Sequence, residues 1–336
     1  MIAVSNRAGQ PRRWQEALRE AITDPAELVE VLGLDPALVE PARRAAERFP
    51  LRVPRGFVAR MRRGDPHDPL LRQVLPLDAE LVEHPGFVPD PVGDLPSAAG
   101  PGLLHKYAGR ALLIATGACA VHCRYCFRRE FPYAEQLAGA SRFEAALELI
   151  RRDASLEEVI LSGGDPLSLS NSRLAELSAT LDAVPHLRRL RLHTRHPVVL
   201  PERVDSGLLD WLSSTRLPVA MVVHANHPAE IDATVAAALR SIADRGVTLL
   251  NQSVLLKGVN DSADTLQELA ERLFDARVLP YYLHLLDRVR GAAHFEVCEE
   301  EALKILEALR ARLPGYLTPR LVREEAGQHS KTPVAQ

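Results

Sequence analysis

Lysine is nearly missing from this chain. Of 41 basic side chains in 336 residues only four are lysines, Lys106, Lys257, Lys304 and Lys331, so chemistry that needs an amine nucleophile has very few places to find one. Cysteine is equally scarce at four residues. That excludes a disulfide framework in so long a chain, and clustered unpaired thiols favour a reducing compartment. No apolar run approaches the roughly 20 residues that span a bilayer. The start, Met1-Ile2-Ala3-Val4-Ser5-Asn6-Arg7, lacks the apolar stretch of a signal peptide. A net charge of only −3 gives no electrostatic reason to expect nucleic acid or an anionic membrane as partner. No repeat or low-complexity block is evident. The expectation is a soluble cytoplasmic protein with ample length for a core.

What is present is a regular alternation. Residues up to about 80 read as short helices with charged faces, Pro25 and Pro36 standing at helix starts. His84 to Gly102 is rich in Pro, Gly and Asp and reads as a linker or extended wrap. Six short apolar runs then read as buried parallel strands: Ala111 to Thr116, Val159 to Ser162, Leu190 to Thr194, Val219 to His224, Thr248 to Val254 and Val278 to His284. Amphipathic stretches separate them, and a last one runs from Glu299 to Leu313. The pattern predicts an α/β fold with a parallel sheet. Unusual polar clusters stand at or just past the C-terminal end of every strand. A doubly wound sheet would concentrate them at one switch point; their spread over all six units favours a barrel or partial barrel.

The densest cluster is Cys119-Ala-Val-His-Cys123-Arg-Tyr-Cys126, just after the first predicted strand. Three soft thiolates can grip one metal cluster and leave a coordination position open for a small molecule. A zinc site would want four protein ligands, and Cys298 stands alone before an acidic helix. After the second strand comes Ser162-Gly163-Gly164-Asp165, where glycines would let a ligand approach the backbone. Histidines at strand ends (His193, His196, His224, His227, His284) are too scattered for a metal and read as supporting hydrogen bonders.

The C-x3-C-x2-C spacing, together with Gly163-Gly164-Asp165, resembles the radical S-adenosylmethionine superfamily. Cys126-Phe127-Arg128-Arg129, Asn251 to Leu256, Gly258-Val259-Asn260-Asp261 and the segment from Gly315 to Pro333 resemble, within it, the lysine 2,3-aminomutase family. The resemblance covers about Leu51 to Pro333. It implies a [4Fe–4S] cluster on Cys119, Cys123 and Cys126, S-adenosylmethionine held near Ser162, Gly163, Gly164 and Asp165, and pyridoxal 5′-phosphate carried by Lys331, with Tyr107 and Arg110 at its phosphate. Arg128 would bind the substrate carboxylate, and Asp261 and Glu324 the distal ammonium of L-lysine. The implied organisation is a helical extension and linker (1–102), a six-stranded partial (β/α)6 TIM-like barrel (103–315) and a tail (316–336) that closes over the mouth with Lys331.

Leu51 to Arg55, Asp68 to Val74, Tyr281 to His284 and Gly291 to Phe295 look like the branch that supplies (R)-β-lysine for modifying elongation factor P. The chain also stops soon after Lys331, as that branch does. The partners implied are L-lysine, a reductant of flavodoxin or ferredoxin type, and a functional link to elongation factor P and its lysyl ligase, with a homodimer left open. A glutamate 2,3-aminomutase would share fold and cofactors but should carry a cation where Asp261 and Glu324 sit. A catabolic lysine role and a non-enzymatic iron–sulfur or zinc module are the remaining alternatives.

Overall fold

Ten strands form one sheet in strictly sequential order in the computed structural model, which describes residues 13–136 and 142–334. They are β1 (Ala98–Gly100), β2 (Leu103–Tyr107), β3 (Arg110–Thr116), β4 (Glu158–Gly163), β5 (Arg189–Thr194), β6 (Val219–Val223), β7 (Thr248–Val254), β8 (Leu279–His284), β9 (Arg320–Arg323) and β10 (Thr332–Pro333). β3 to β8 are the six expected strands, paired parallel, each to the next. The sheet continues past both ends. β9 adds a seventh parallel strand against β8, and β10 turns back antiparallel on β9. At the other edge β1 and β2 pair antiparallel, and β2 pairs with β3. So the segment expected to be a tail is in part sheet, and the expected linker contributes β1.

Six helices supply the parallel crossovers: Arg142–Arg152, Asn171–Asp182, Ser206–Ser214, Ala233–Ala243, Ala263–Asp275 and Glu299–Arg312. Their starts are written locally. Ser170, Asp205, Asp232 and Ser262 each accept from a backbone N–H in the first turn of the following helix. Their apolar faces, with Leu174, Leu181, Leu208, Val235, Leu239 and Ile242 fully buried, pack on one face of the sheet. Each such leucine is worth about 1.5–3 kcal/mol of burial.

Alternation along the strands decides what the other face shows. In β5, Leu190 and Leu192 are buried in the core while Arg191 and His193 line a cavity. In β4, Val159 and Leu161 face the helices, and Ile160 and Ser162 the cavity. A sheet covered on both faces by helices would have carried apolar residues at those positions. Here the second face is reserved for the site.

A separate apolar cluster holds the N-terminal helices together. Trp14, Ile22, Leu28, Leu32, Phe57, Leu70, Leu71 and Val74 pack there with Ala120 and Val121 of the cysteine loop. Pro25 and Pro36 do open helical turns, after capping by Asp24 and Asp35. Among the described residues no helix is long and apolar enough to cross a membrane.

Candidate active site

The cavity has a volume of about 1060 Å³, above the roughly 300–1,000 Å³ of an ordinary single-ligand pocket. Cys119, Cys123 and Cys126 line one part, and Lys331, Glu324, Tyr107 and Arg110 another. Cys298 is exposed and lies elsewhere, so it is no fourth ligand to this set.

The cysteine loop is clamped from the N-terminal layer. Arg124, inaccessible to solvent, donates to both carboxylate oxygens of Glu80 at 2.8 and 2.6 Å, and Arg129 donates to Glu80 at 2.6 Å. The backbone N–H groups of His122 and Arg124 donate to Arg52 and Gln73 carbonyls at 2.9 Å. Burial pushes the Cys119 thiol well up, and burial with Cys123 nearby pushes Cys126 to about 11. Such thiols release their protons only to a strong positive charge, which a bound metal supplies. Among the described residues no three His, Cys, Asp or Glu side chains meet at single-ion distance. A multi-iron cluster gives each cysteine its own iron, whereas structural zinc needs four ligands around one point.

Ser162, Gly163 and Gly164 line the cavity, and the fold itself adds a second reason for the glycines. A Cβ on Gly164 would stand 2.5 Å from the Ala118 carbonyl oxygen, and one on Gly163 (φ +111°) 2.8 Å from that of Thr116. Gly164 N–H donates to Thr116 at 2.7 Å, and Asp165 N–H to Ala118 at 2.8 Å. The glycines therefore seat β4 against the cysteine loop, and the Gly164 N–H is taken by protein. Asp165, expected to touch a cofactor, lines the cavity and is also a clamp. It accepts from Leu167 N–H, the Thr194 hydroxyl, Arg195 N–H and His196 N–H at 2.7–3.2 Å, with His196 Nδ1 2.8 Å away. Burial opposes its charge, yet His196 and these donors hold its carboxyl below the usual range.

The other part of the cavity is built from charges far apart in sequence. Two of the four lysines reach it. Lys106 is taken by Asp94 (2.6 Å) and the Val92 carbonyl (2.7 Å). Lys331 sits on Glu324 at 2.7 Å, whose other oxygen accepts from the Tyr107 hydroxyl at 2.6 Å. Against the cost of burial, Lys331 above all holds the Glu324 carboxyl below its usual range. Lys304 pairs with Glu300 on an exposed helix face, as expected for a solvated lysine, and Lys257 is exposed. Arg110 lies over the Tyr107 ring at 4.7 Å and has no carboxylate partner among the described residues, as suits a phosphate site.

Arg128 is buried in the wall between these parts. Its Nε donates to Asp94 at 2.6 Å and its Nη1 to Ser162 at 3.2 Å, which leaves Nη2 for a ligand. Asp94 thus joins Arg128 to Lys106, and the stretch expected to be a linker becomes a wall of the site.

Asp261 is not brought here. It lies before the Ala263–Asp275 helix and lines neither this cavity nor a neighbouring one. The carboxylate that does line it is Asp287, three residues past β8 and missing from the expected set. Burial raises its carboxyl to about 7, against the pull of Lys331. The rule that polar residues past strand ends build the site would have reached it, had the reading of β8 not stopped at His284. Of the histidines, His224 meets the Tyr125 hydroxyl at 3.1 Å, His227 caps Ala229 N–H at 3.1 Å, and His196 lies 3.4 Å from Ser168. His193 lines the cavity with a buried Nε2 that no described group satisfies, a vacancy suited to a bound group.

No family model matches the chain. Whole-chain relatives do. An L-lysine 2,3-aminomutase of Escherichia coli K12 is 48% identical over 322 residues, spanning 96% of this chain and 94% of the relative. That of Haemophilus influenzae is 46% identical over 97% of both chains. The Clostridium subterminale enzyme is 34% identical over 96% of this chain and 77% of its own length. With identity of this order along nearly its whole length, the chain belongs to the lysine 2,3-aminomutase family, isomerases that use a [4Fe–4S] cluster, S-adenosylmethionine and pyridoxal phosphate.

Proposed function

We propose that this chain isomerises L-α-lysine to (R)-β-lysine by 2,3-migration of the amino group. The observation that carries the reading is Lys331 held on Glu324 in the same cavity as three cysteines. The donor sets suit the family's groups. Cys119, Cys123 and Cys126 would hold the cluster, Lys331 the pyridoxal phosphate, and Arg110 with Tyr107 its phosphate. Bound there, the cluster with S-adenosylmethionine would supply a hydrogen-abstracting radical, and pyridoxal phosphate a π-system that delocalises an unpaired electron.

The chain's own residues position the substrate. Arg128, held by Asp94, offers its free edge to the lysine carboxylate. Asp287 and Glu324 receive the distal ammonium, with Asp287 in the role expected of Asp261. With Lys331 carrying the cofactor, Glu324 would give up its 2.7 Å ion pair and keep only Lys106 at 3.8 Å, and an alkylammonium would take the place of Lys331. Two carboxylates at that end argue against glutamate, whose side chain would need a cation. We further read the sheet as a partial barrel, supported by its sequential order without a switch point and by a cavity lined from strand after strand. Of the division into 1–102, 103–315 and 316–336, the separate apolar cluster supports the N-terminal helices as a layer of their own, whereas the last segment joins the sheet through β9 and β10.

Anaerobic incubation with α-lysine, dithionite and S-adenosylmethionine, followed by chiral analysis, should give β-lysine, and glutamate in parallel should give no product. β-Glutamate instead would sink the reading. Delivery to elongation factor P rests on the four segments resembling that branch. Cells lacking this chain should yield the factor without a β-lysyl mass increment, restored by added β-lysine; an unchanged mass would remove that role.

A further inference from the structure

Arg195 follows β5 and is 6% exposed. Its Nη1 donates to the Cys123 sulfur at 2.7 Å, and its Nη2 to Gln73 (2.7 Å) and Glu230 (3.0 Å). Its backbone N–H is fixed on Asp165 at 2.7 Å. The partners are themselves held. Glu230, inaccessible to solvent, accepts from Gln73 Nε2, Asn226 N–H and His227 N–H at 2.9–3.1 Å. The Gln73 oxygen also receives Asn226 Nδ2 at 3.0 Å and the Tyr125 hydroxyl at 3.2 Å.

This framework engages both Nη groups of the guanidinium, while its buried Nε has no partner among the described residues. Neutral groups could tie the same segments together without the desolvation cost of a buried ion pair. What a cation adds is its effect on the sulfur, and among the proposed ligands only Cys123 receives a side-chain donor at hydrogen-bond distance in the described structure. Donors to cluster sulfurs, with burial and net charge, set iron–sulfur potentials because they stabilise the electron added on reduction.

We infer that Arg195 is a positioning residue that raises the reduction potential of the cluster ligated by Cys123, through a charge-assisted N–H···S bond held in place by Gln73 and Glu230. The inference rests on the three cysteines being the cluster ligands. The step it eases is one-electron reduction, [4Fe–4S]²⁺ to [4Fe–4S]⁺, by an external reductant such as dithionite.

The test uses the full chain, reconstituted anaerobically with iron and sulfide and titrated by electron paramagnetic resonance without S-adenosylmethionine. Arg195→Gln combined with Glu230→Gln, which leaves no orphaned charge, should lower the reduction equilibrium constant at least tenfold, about 59 mV for one electron. Arg195→Lys should fall between it and the wild type. In wild-type protein carrying ¹⁵N-arginine, the reduced cluster should show a ¹⁵N coupling that Arg195→Lys removes. An unchanged midpoint at equal iron content, or no ¹⁵N coupling in the wild type, overturns the inference. Wild-type protein that takes up no iron and sulfide would instead overturn the ligand assignment beneath it.

Discussion

The two ends of the cavity are held by different physics. Around the cysteines, the loop is fixed by a dense set of buried hydrogen bonds made within the protein: Arg124 on Glu80, Asp165 on four donors, Arg195 on Gln73 and Glu230, with Nε of Arg52 and of Arg195 left without a partner among the described residues. Around Lys331, three cations (Lys106, Arg128, Lys331) are set among three carboxylates (Asp94, Glu324, Asp287), Arg110 has no carboxylate partner among the described residues, and His193 has a buried Nε2 without a hydrogen-bond partner. The first end is finished before any ligand arrives, as a site that must hold a metal cluster rigidly requires. The second has charges to exchange, as a site that trades one amine for another requires.

The largest effects come from breaking either end outright. Lys331→Ala should abolish isomerisation and also the borohydride-fixable cofactor adduct, while iron uptake stays normal. An adduct persisting in that variant would move the cofactor to Lys106. At the other end Gly164→Ala forces a Cβ to within 2.5 Å of the Ala118 carbonyl oxygen. The overpacking costs about 1–3 kcal/mol and falls on the seam beneath the cysteines. Iron bound per chain should drop while the pyridoxal absorbance is retained. Loss of both together would mean that the ends are not separable.

The same contrast explains what could be read in advance. Strands β3 to β8 and their helices follow from local periodicity and capping, and the cysteine triplet is contiguous. These were legible because each signal lies within a dozen residues. β9 and β10 were not, because strands of four and two residues carry too little pattern to mark. Asp261 is expected only from its resemblance to an acidic position of the family, and the sequence does not say which carboxylate past a strand turns towards the cavity; Asp287 does. The clamp role of Asp165 was hidden similarly. Its partners Thr194, Arg195 and His196 arrive from the next strand, brought by the parallel β4–β5 register.

Replacing the acids tests the charge-exchange end directly. Asp287→Asn leaves an incoming ammonium with one carboxylate where it had two. Removing one partner of a buried charge costs about 3–5 kcal/mol, so KM for lysine should rise by about 10²–10⁴-fold with the reduction potential unmoved. Asp261→Asn should change KM by less than about twofold, as a substitution away from such features does. Reversed outcomes would restore Asp261 and make Asp287 structural.

The smallest effect is one of pH, and its sign follows from the same residue. With its carboxyl raised to about 7 by burial, Asp287 is half-protonated near neutrality in the ligand-free chain. An ammonium binds the ionised form, so protons and lysine compete for it. KM for lysine should therefore be flat above about pH 8 and climb as pH falls through 7, approaching tenfold per unit. Against the cost of burial, the Tyr107 hydroxyl and Lys106 beside Glu324 still favour its ionised form once Lys331 is engaged, so the slope belongs to Asp287. Asp287→Asn should flatten the profile at its high-KM level. A slope that survives in Asp287→Asn would place the titrating group at the cysteine end, and the two ends would then share one charge balance.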